Sequence, residues 1–171
     1  MISYQSSKQI LKKGVIKIRD EKINSINALN RVTSTNIYSI INYPAGDNAA
    51  FDGFAINSKD TKNIKRNSNQ QFKIIGSVAA GAKPFKKKIK KFDAVEIMTG
   101  GIIPKGFDTI IPIEKINFYP NRINRKYILV NQKINKNNHV RFKGSDYKKN
   151  ELVLKKNTII QPNHILAFKT L

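Results

Sequence analysis

Apolar and polar positions alternate in short runs broken by turns along most of the chain, and helical spacing is confined to its two ends. Residues 4–13 set Ile10 and Leu11 near one face of a short helix, Lys8, Lys12 and Lys13 on the other, with Gly14 as its stop. Residues 15–25 alternate partly, through Val15, Ile16, Ile18 and Ile23. Ser25 is placed to cap a second short helix over Ile26–Arg31. Val32–Ile41, rich in β-branched residues, predicts a strand. Asn57–Gln71 has almost no apolar content and predicts a surface loop. Further strands are predicted at Phe72–Val78, Ala94–Met98, Thr109–Glu114 and Glu151–Leu154, and a hairpin at Ile116–Tyr119 and Tyr127–Val130. Pro162 opens a last helix, Asn163–Leu171. The pattern predicts a β-rich body, barrel-like, attached to a smaller part built from both termini.

One run invites two readings. Phe85–Phe92, FKKKIKKF, sets Phe85, Ile89 and Phe92 at helical spacing among five lysines. A basic helix lying on a membrane or nucleic acid would look like this. Eight residues are too few to anchor anything alone, so a solvated loop or a lysine-guarded edge strand is the expectation.

Composition changes the picture in charge more than in fold. The chain has 171 residues, 40% of them hydrophobic, enough for one ordinary domain or two small ones. Its 32 Lys+Arg against 11 Asp+Glu leave a net charge of +21. Such a field attracts nucleic acid, acidic membranes or small anions. The excess is mostly lysine beside many Ile and Asn, which compositional drift would also leave. Cysteine is absent, which excludes disulfides, thiolate metal sites and a cysteine nucleophile. No segment approaches the ~20 apolar residues of a membrane span. The N-terminus places lysines where a signal peptide needs an apolar core. A soluble, cytoplasmic protein is expected.

The chemistry concentrates in two stretches. Asn42–Ile56, NYPAGDNAAFDGFAI, holds Asp47 and Asp52 among small residues and turn formers. Ala94–Glu114 holds Thr99 in a Gly-rich turn and ends on Glu114. Both read as strand–turn–strand pieces, a design that suits ligand handling. Asp47, Asn48 and Gly53 equally suit plain turns. Val140–Asp146, VRFKGSD, adds Arg141, Lys143 and Asp146. The carboxylates could hold a hard cation such as Mg²⁺, and Arg141 with Lys143 could face an oxyanion. A surface ion pair between Arg141 and Asp146 explains those two residues as well. His139 and His164 lack partners at ligand spacing and read as structural. No phosphate-binding glycine loop and no nucleophile elbow is present.

Taken together, these stretches resemble a family. Pro44–Ala55, PAGDNAAFDGFA, is similar to the P-x-x-D-N-S-A-M-D-G-Y-A signature of molybdopterin molybdenumtransferases, shared by the bacterial enzymes and the gephyrin E domain. Glu96–Glu114 resembles their R-I-M-T-G-A-x-x-P-x-G-A-D-x-V-V-x-x-E. Gly76–Gly81 resembles their G-x-x-x-A-G, Arg141–Asp146 their R-x-x-G-x-D, and INALNRV the segment holding their L-G-R-V. Order and spacing agree over essentially the whole chain. Ala49 replaces Ser, Phe51 replaces Met, Phe54 stands where Tyr is common, Asn30 replaces Gly, and Glu96 replaces a basic residue.

The resemblance implies an α+β, β-rich fold, with a barrel-like domain at 43–147 inserted into a linker domain formed by 1–42 plus 148–171. It implies an enzyme that inserts molybdate into adenylylated molybdopterin and releases AMP, with Mg²⁺ required. It implies an elongated homodimer, a molybdopterin adenylyltransferase upstream, and neither nucleic acid nor membrane as partner. The active cleft would lie between the second domain of one subunit and the third domain of the other. Catalytic positions would be Asp52, Thr99, Arg141 and Asp146. Asp47, Asn48 and Lys143 would bind the substrate or cofactor, and Asp52 and Asp146 are the candidates for Mg²⁺. Family enzymes continue into a third and a fourth domain, so the chain is expected to be the first two domains and inactive alone. The rival reading is a basic β-barrel that binds nucleic acid, or a scaffold without catalysis.

Overall fold

Short-range signals set the ends of the two helices. In the computed structural model, which describes residues 1–14, 18–65 and 68–171, helix α1 spans Tyr4–Lys13. The Ser3 hydroxyl accepts from the Ser6 N–H at 3.2 Å, satisfying one of the free donors of the first turn. Lys12 and Lys13 sit in the last turn, where positive charge suits the helix dipole, and the helix stops at Gly14. Helix α2, Pro162–Phe168, carries Pro in its first turn. The Gln161 N–H donates to His164 Nδ1 at 3.0 Å, giving His164 a capping role. The alternation expected at Val15 and Ile16 lies outside the described residues.

The chain divides into two compact units, Met1–Ile37 with Leu154–Thr170, and Tyr38–Val153 with Leu171. The expected domain boundaries at 42/43 and 147/148 stand a few residues inside the second unit. That unit takes in Ser39, whose N–H donates to the Glu151 carbonyl at 2.9 Å and whose own carbonyl accepts from the Asn150 N–H. The smaller unit has its own core of Ala28, Leu154 and Ile160, with Ile37, Ile165 and Phe168 against it. Thr33 locks it, its hydroxyl donating to the Lys155 carbonyl at 2.7 Å.

Among the described residues ten strands run in chain order: β1 Ile37–Tyr38, β2 Asn48–Ala49, β3 Gly53–Ile56, β4 Gln70–Val78, β5 Asp93–Ile97, β6 Thr109–Pro112, β7 Asn117–Tyr119, β8 Tyr127–Val130, β9 Val140–Arg141 and β10 Leu152–Leu154. Six of them form one sheet in the order β6-β3-β5-β4-β8-β7, curled into a half-barrel. All its pairings are antiparallel except β4 with β5. β2 pairs with β9 and β1 with β10 in two small sheets. The α+β, β-rich expectation therefore holds, with an open sheet whose edges are β6 and β7.

Both faces of the sheet are covered at β3, β5 and β6. Side chains alternate across a strand, so Phe54, Ile56, Ala94 and Ile111 join one apolar cluster while Ala55, Val95, Ile97 and Ile110 join another. All four residues of β3 and of β6 are buried. The lysine-rich run is the connection between β4 and β5. It is a loop, as expected, and Phe85, Ile89 and Phe92 pack inward while its five lysines are exposed.

Three expectations fail for local reasons. Ile26–Arg31 forms only a 3₁₀ turn, Ser25–Asn27, capped by Asn24 rather than Ser25. Val32–Ile41 yields a bridge at Val32 and the two residues of β1, because Thr33 spends its bonds on Lys155 and Thr158 instead of a ladder. The polar tract after Ile56 contains a 3₁₀ turn, Ser58–Thr61, whose Ser58 and Thr61 are buried. Their hydroxyls are satisfied at Asp108 Oδ2 and at the Ser58 carbonyl, which removes the cost of burial.

Glu96, at a position where the resembled motif carries a basic residue, is ion-paired. Arg125 Nη1 lies 2.9 Å from its Oε1, and Arg125 Nη2 donates to Oε2 at 3.1 Å. Only 14% of the Glu96 side chain is exposed, so this forked pair outranks an ordinary surface bridge. Glu96→Ala should cost about 1 kcal/mol. A double-mutant cycle with Arg125→Ala, read from urea midpoints, should return a coupling of about that size.

Candidate functional site

Asp52 stands at the head of β3, exposed, with one oxygen fixed. Its Oδ1 accepts from the Thr99 N–H at 2.6 Å and from the Thr99 hydroxyl at 2.7 Å. Thr99 occupies the turn after β5, closed by Gly101 N–H donating to the Met98 carbonyl at 2.8 Å, with Gly100 at φ +79°. The turn docks on β2: Gly100 N–H donates to the Ala49 carbonyl at 2.8 Å, and Ala49 N–H to the Gly101 carbonyl at 3.0 Å. So the two motifs, distant in sequence, meet backbone to backbone.

The Thr99 N–H and then its hydroxyl hold the Asp52 carboxyl below the usual carboxylate range, against a smaller upward push from burial. A group with a lowered folded pKa contributes stability above its unfolded pKa and loses it as pH falls through the folded value. The Asp52–Thr99 contact is therefore complete at neutral pH and is lost only on strong acidification. Thr99→Val removes the hydroxyl but keeps the N–H. A carboxyl NMR titration should then show the Asp52 pKa raised towards, without reaching, its ordinary value.

A second group gathers where β2 pairs with β9. Asp47 Oδ1 accepts from the Lys143 N–H at 2.8 Å, and the Asp47 carbonyl from the Ile103 N–H at 2.9 Å. Asn48 faces Arg141 on one side and Ile102 on the other. It is 6% exposed, and its Oδ1 is buried without a donor. Buried acceptors are rarely left so, and this one marks a place for a water or a ligand donor. Arg141 is ion-paired with Asp146 through Nη2, and its guanidinium lies 5.8 Å from the centre of the Tyr43 ring. The Ser145 hydroxyl donates to Asp146 Oδ1 at 3.2 Å. Gly144, at φ +69°, donates its N–H to the Pro44 carbonyl at 2.9 Å, fixing this loop to the first motif.

The structure thus joins Asp52 to Thr99, Asp47 to Lys143 and Arg141 to Asp146. Asp52 and Asp146 belong to separate hydrogen-bonded groups. Among the described residues no cluster of three or more His, Asp or Glu is able to hold a metal ion. Asp146 is committed to Arg141, so the donor set suits a cation held by Asp52 and by ligand or water oxygens, as Mg²⁺ accepts. It does not form an all-protein cage. Tyr43 and His139 are absent from the sequence reading of this site. His139 packs edge-on against Phe51, ring centres 4.9 Å apart, just before Asp52. Nothing in the spacing of Phe51 and His139 points to that contact.

Comparison with known proteins covers almost the whole chain. A family model described as MoeA N-terminal region (domain I and II) matches residues 2–171. A molybdopterin molybdenumtransferase of Staphylococcus aureus (strain Mu50) is 29% identical over 143 residues, 84% of this chain and 33% of that protein. One of Haemophilus influenzae is 30% identical over 159 residues, 92% of this chain and 37% of that protein. A crystal structure of a molybdopterin biosynthesis MoeA protein from Pyrococcus horikoshii superposes with a TM-score of 0.83 at 29% identity, covering 100% of this chain and 44% of that one. The chain spans about a third of the length of the curated relatives it matches.

Proposed function

The chain belongs to the family of MoeA N-terminal regions, and on that premise we propose that it is the N-terminal part of a molybdopterin molybdenumtransferase. The reaction is insertion of molybdate into adenylylated molybdopterin with release of AMP, performed together with domains beyond this region. The observation that carries the reading is Asp52, held ionised and aimed by two donors from Thr99 inside the family signature. A carboxylate so fixed can orient a water or a cation at a phosphate without reorganising. Mg²⁺, when bound there by Asp52 and phosphate oxygens, would neutralise phosphate charge.

Other residues have roles that follow from their places. Asn48 offers its unpaired oxygen to a ligand donor. Arg141, braced by Asp146, presents its remaining N–H groups to an anion. Asp47 positions the Lys143 loop through a backbone bond, and the exposed Lys143 side chain is left for an anionic substrate. The proposal extends to a homodimer in the cytoplasm that receives its substrate from a molybdopterin adenylyltransferase.

The test is molybdate-dependent AMP release by the Haemophilus influenzae relative with this chain in place of its own matching region. Asp52→Asn in that chimaera should lower release about a hundredfold, near 2.7 kcal/mol of barrier, with an unchanged circular-dichroism spectrum. Undiminished release would remove Asp52 from the chemistry.

A further inference from the structure

Beside Asp47 the larger unit has a cavity of about 450 Å³ to which no step of the proposed reaction assigns a role. Its walls are the segment after Ile102 and the segment that runs from Lys136 through β9 to Phe142. Phe107 is nearly buried, and Phe142 is 48% exposed. Lys105 and Lys136 line it as well, both exposed.

The two walls are tied to the rest of the unit, so the cavity is formed in advance. Phe107 N–H donates to the Pro104 carbonyl at 3.1 Å, and the Gly106 carbonyl accepts from Asn57 Nδ2 at 3.1 Å. Across the cavity, Asn137 N–H donates to the Asp108 carbonyl at 2.8 Å. The lining also has two carboxylates, and both are engaged. Asp108 accepts from the Ser58 N–H at 2.7 Å and from the Ser58 hydroxyl at 2.9 Å, one bond to each oxygen. Asp47 Oδ1 accepts from Lys143. The lysines are not so occupied: the ion pairs among the described residues are Arg31 with Glu21, Arg125 with Glu96 and Arg141 with Asp146, and none uses a lysine.

We propose that this cavity binds a small anion carrying a flat apolar ring. Lys105 and Lys136 take the anionic oxygens, and Phe107 and Phe142 take the ring. Preformed cavities of a few hundred Å³ with apolar walls and a few placed charges are the usual form of small-molecule sites. A bare oxyanion would use the lysines and leave the aromatic walls wet. Lys105 and Lys136, exposed and outside the ion pairs found among the described residues, favour an anion over a neutral ring. The site includes neither Asp52 nor Thr99, and the inference stands or falls apart from the proposed reaction.

The experiment is calorimetric titration of the full chain with phenyl phosphate, benzoate and inorganic phosphate. About 150 mM salt screens the general field of the +21 chain. Phenyl phosphate or benzoate should bind at least tenfold more tightly than inorganic phosphate, and the tighter of the two tells a phosphate ester from a carboxylate. Lys105→Gln with Lys136→Gln should weaken that binding at least tenfold, and Phe142→Ala several-fold. Lys86→Gln with Lys88→Gln, which removes the same charge elsewhere, should leave it unchanged, as should Asp52→Asn. Inorganic phosphate binding as tightly as the tighter of the two ring-bearing anions would overturn the proposal. So would equal loss in the two double-lysine variants, or absence of binding by variants and parent that give the same thermal midpoint.

Discussion

Gly53→Ala is expected to leave the larger unit unfolded. A Cβ at Gly53 would lie 2.0 Å from the Ile111 carbonyl oxygen, 2.9 Å from its carbon and 3.0 Å from Pro112 Cα. All three atoms are backbone, so no side-chain rotation relieves the clash. β3 is paired on both sides, Gly53 with Ile97 of β5 and with Pro112 of β6, so it cannot slide away from one neighbour without entering the other. The cost exceeds the ~4–5 kcal/mol that marks exceptional substitutions, against a total stability of ~5–15 kcal/mol. Loss of the near-ultraviolet circular dichroism and of amide dispersion in the NMR spectrum would show it. A urea transition matching that of the parent would mean that the strand has slack these distances deny.

Phe54→Ala carries the next largest effect. Phe54 is 0% exposed, sits in the apolar cluster of one sheet face and meets the Phe118 ring edge-on at 5.8 Å. Truncating a buried Phe costs ~3–5 kcal/mol through lost transfer energy and the cavity left behind. The urea midpoint should fall accordingly with little change of slope. Phe51, three residues earlier, supplies the control. It is 52% exposed and touches His139, so Phe51→Ala should move the midpoint by less than ~1 kcal/mol. Equal effects at the two positions would mean that the signature does not alternate between surface and core as described.

These variants divide the FDGF signature by role. Asp52 lies exposed at the surface, Gly53 permits the close approach of β6, and Phe54 fills the core. Read as sequence, the four residues look like a single functional turn, and only the sheet separates the scaffold from the site. Local signals were legible because their physics is local: the helical run at residues 4–13, its stop at Gly14, Pro162 and the hairpin between β7 and β8. The buried Ser58 and Thr61 were not, because short polar residues look solvated until Asp108 and the backbone satisfy them, some fifty residues away in the case of Asp108. β3 and β6 were also illegible as two-sided strands, since alternation disappears when both faces are covered. The site followed the same division. Its carboxylates could be picked out by residue type, but Asp52 finds Thr99 across 47 positions and Asp47 finds Lys143 across 96. No local rule sets either partnership.

The smaller unit closes on itself only through a partner far down the chain, since Thr33 bonds to Thr158 at a separation of 125 residues. Left to an unstructured chain, that closure is slow and costly. Once the larger unit is folded, its Ser39 and Glu151 are already hydrogen-bonded neighbours. The stretch still free to wander between Thr33 and Thr158 then shrinks to about a dozen residues, which lowers the entropic cost by about 2 kcal/mol. The folded larger unit thus acts as a splint that brings the segments around Thr33 and Thr158 within reach of each other.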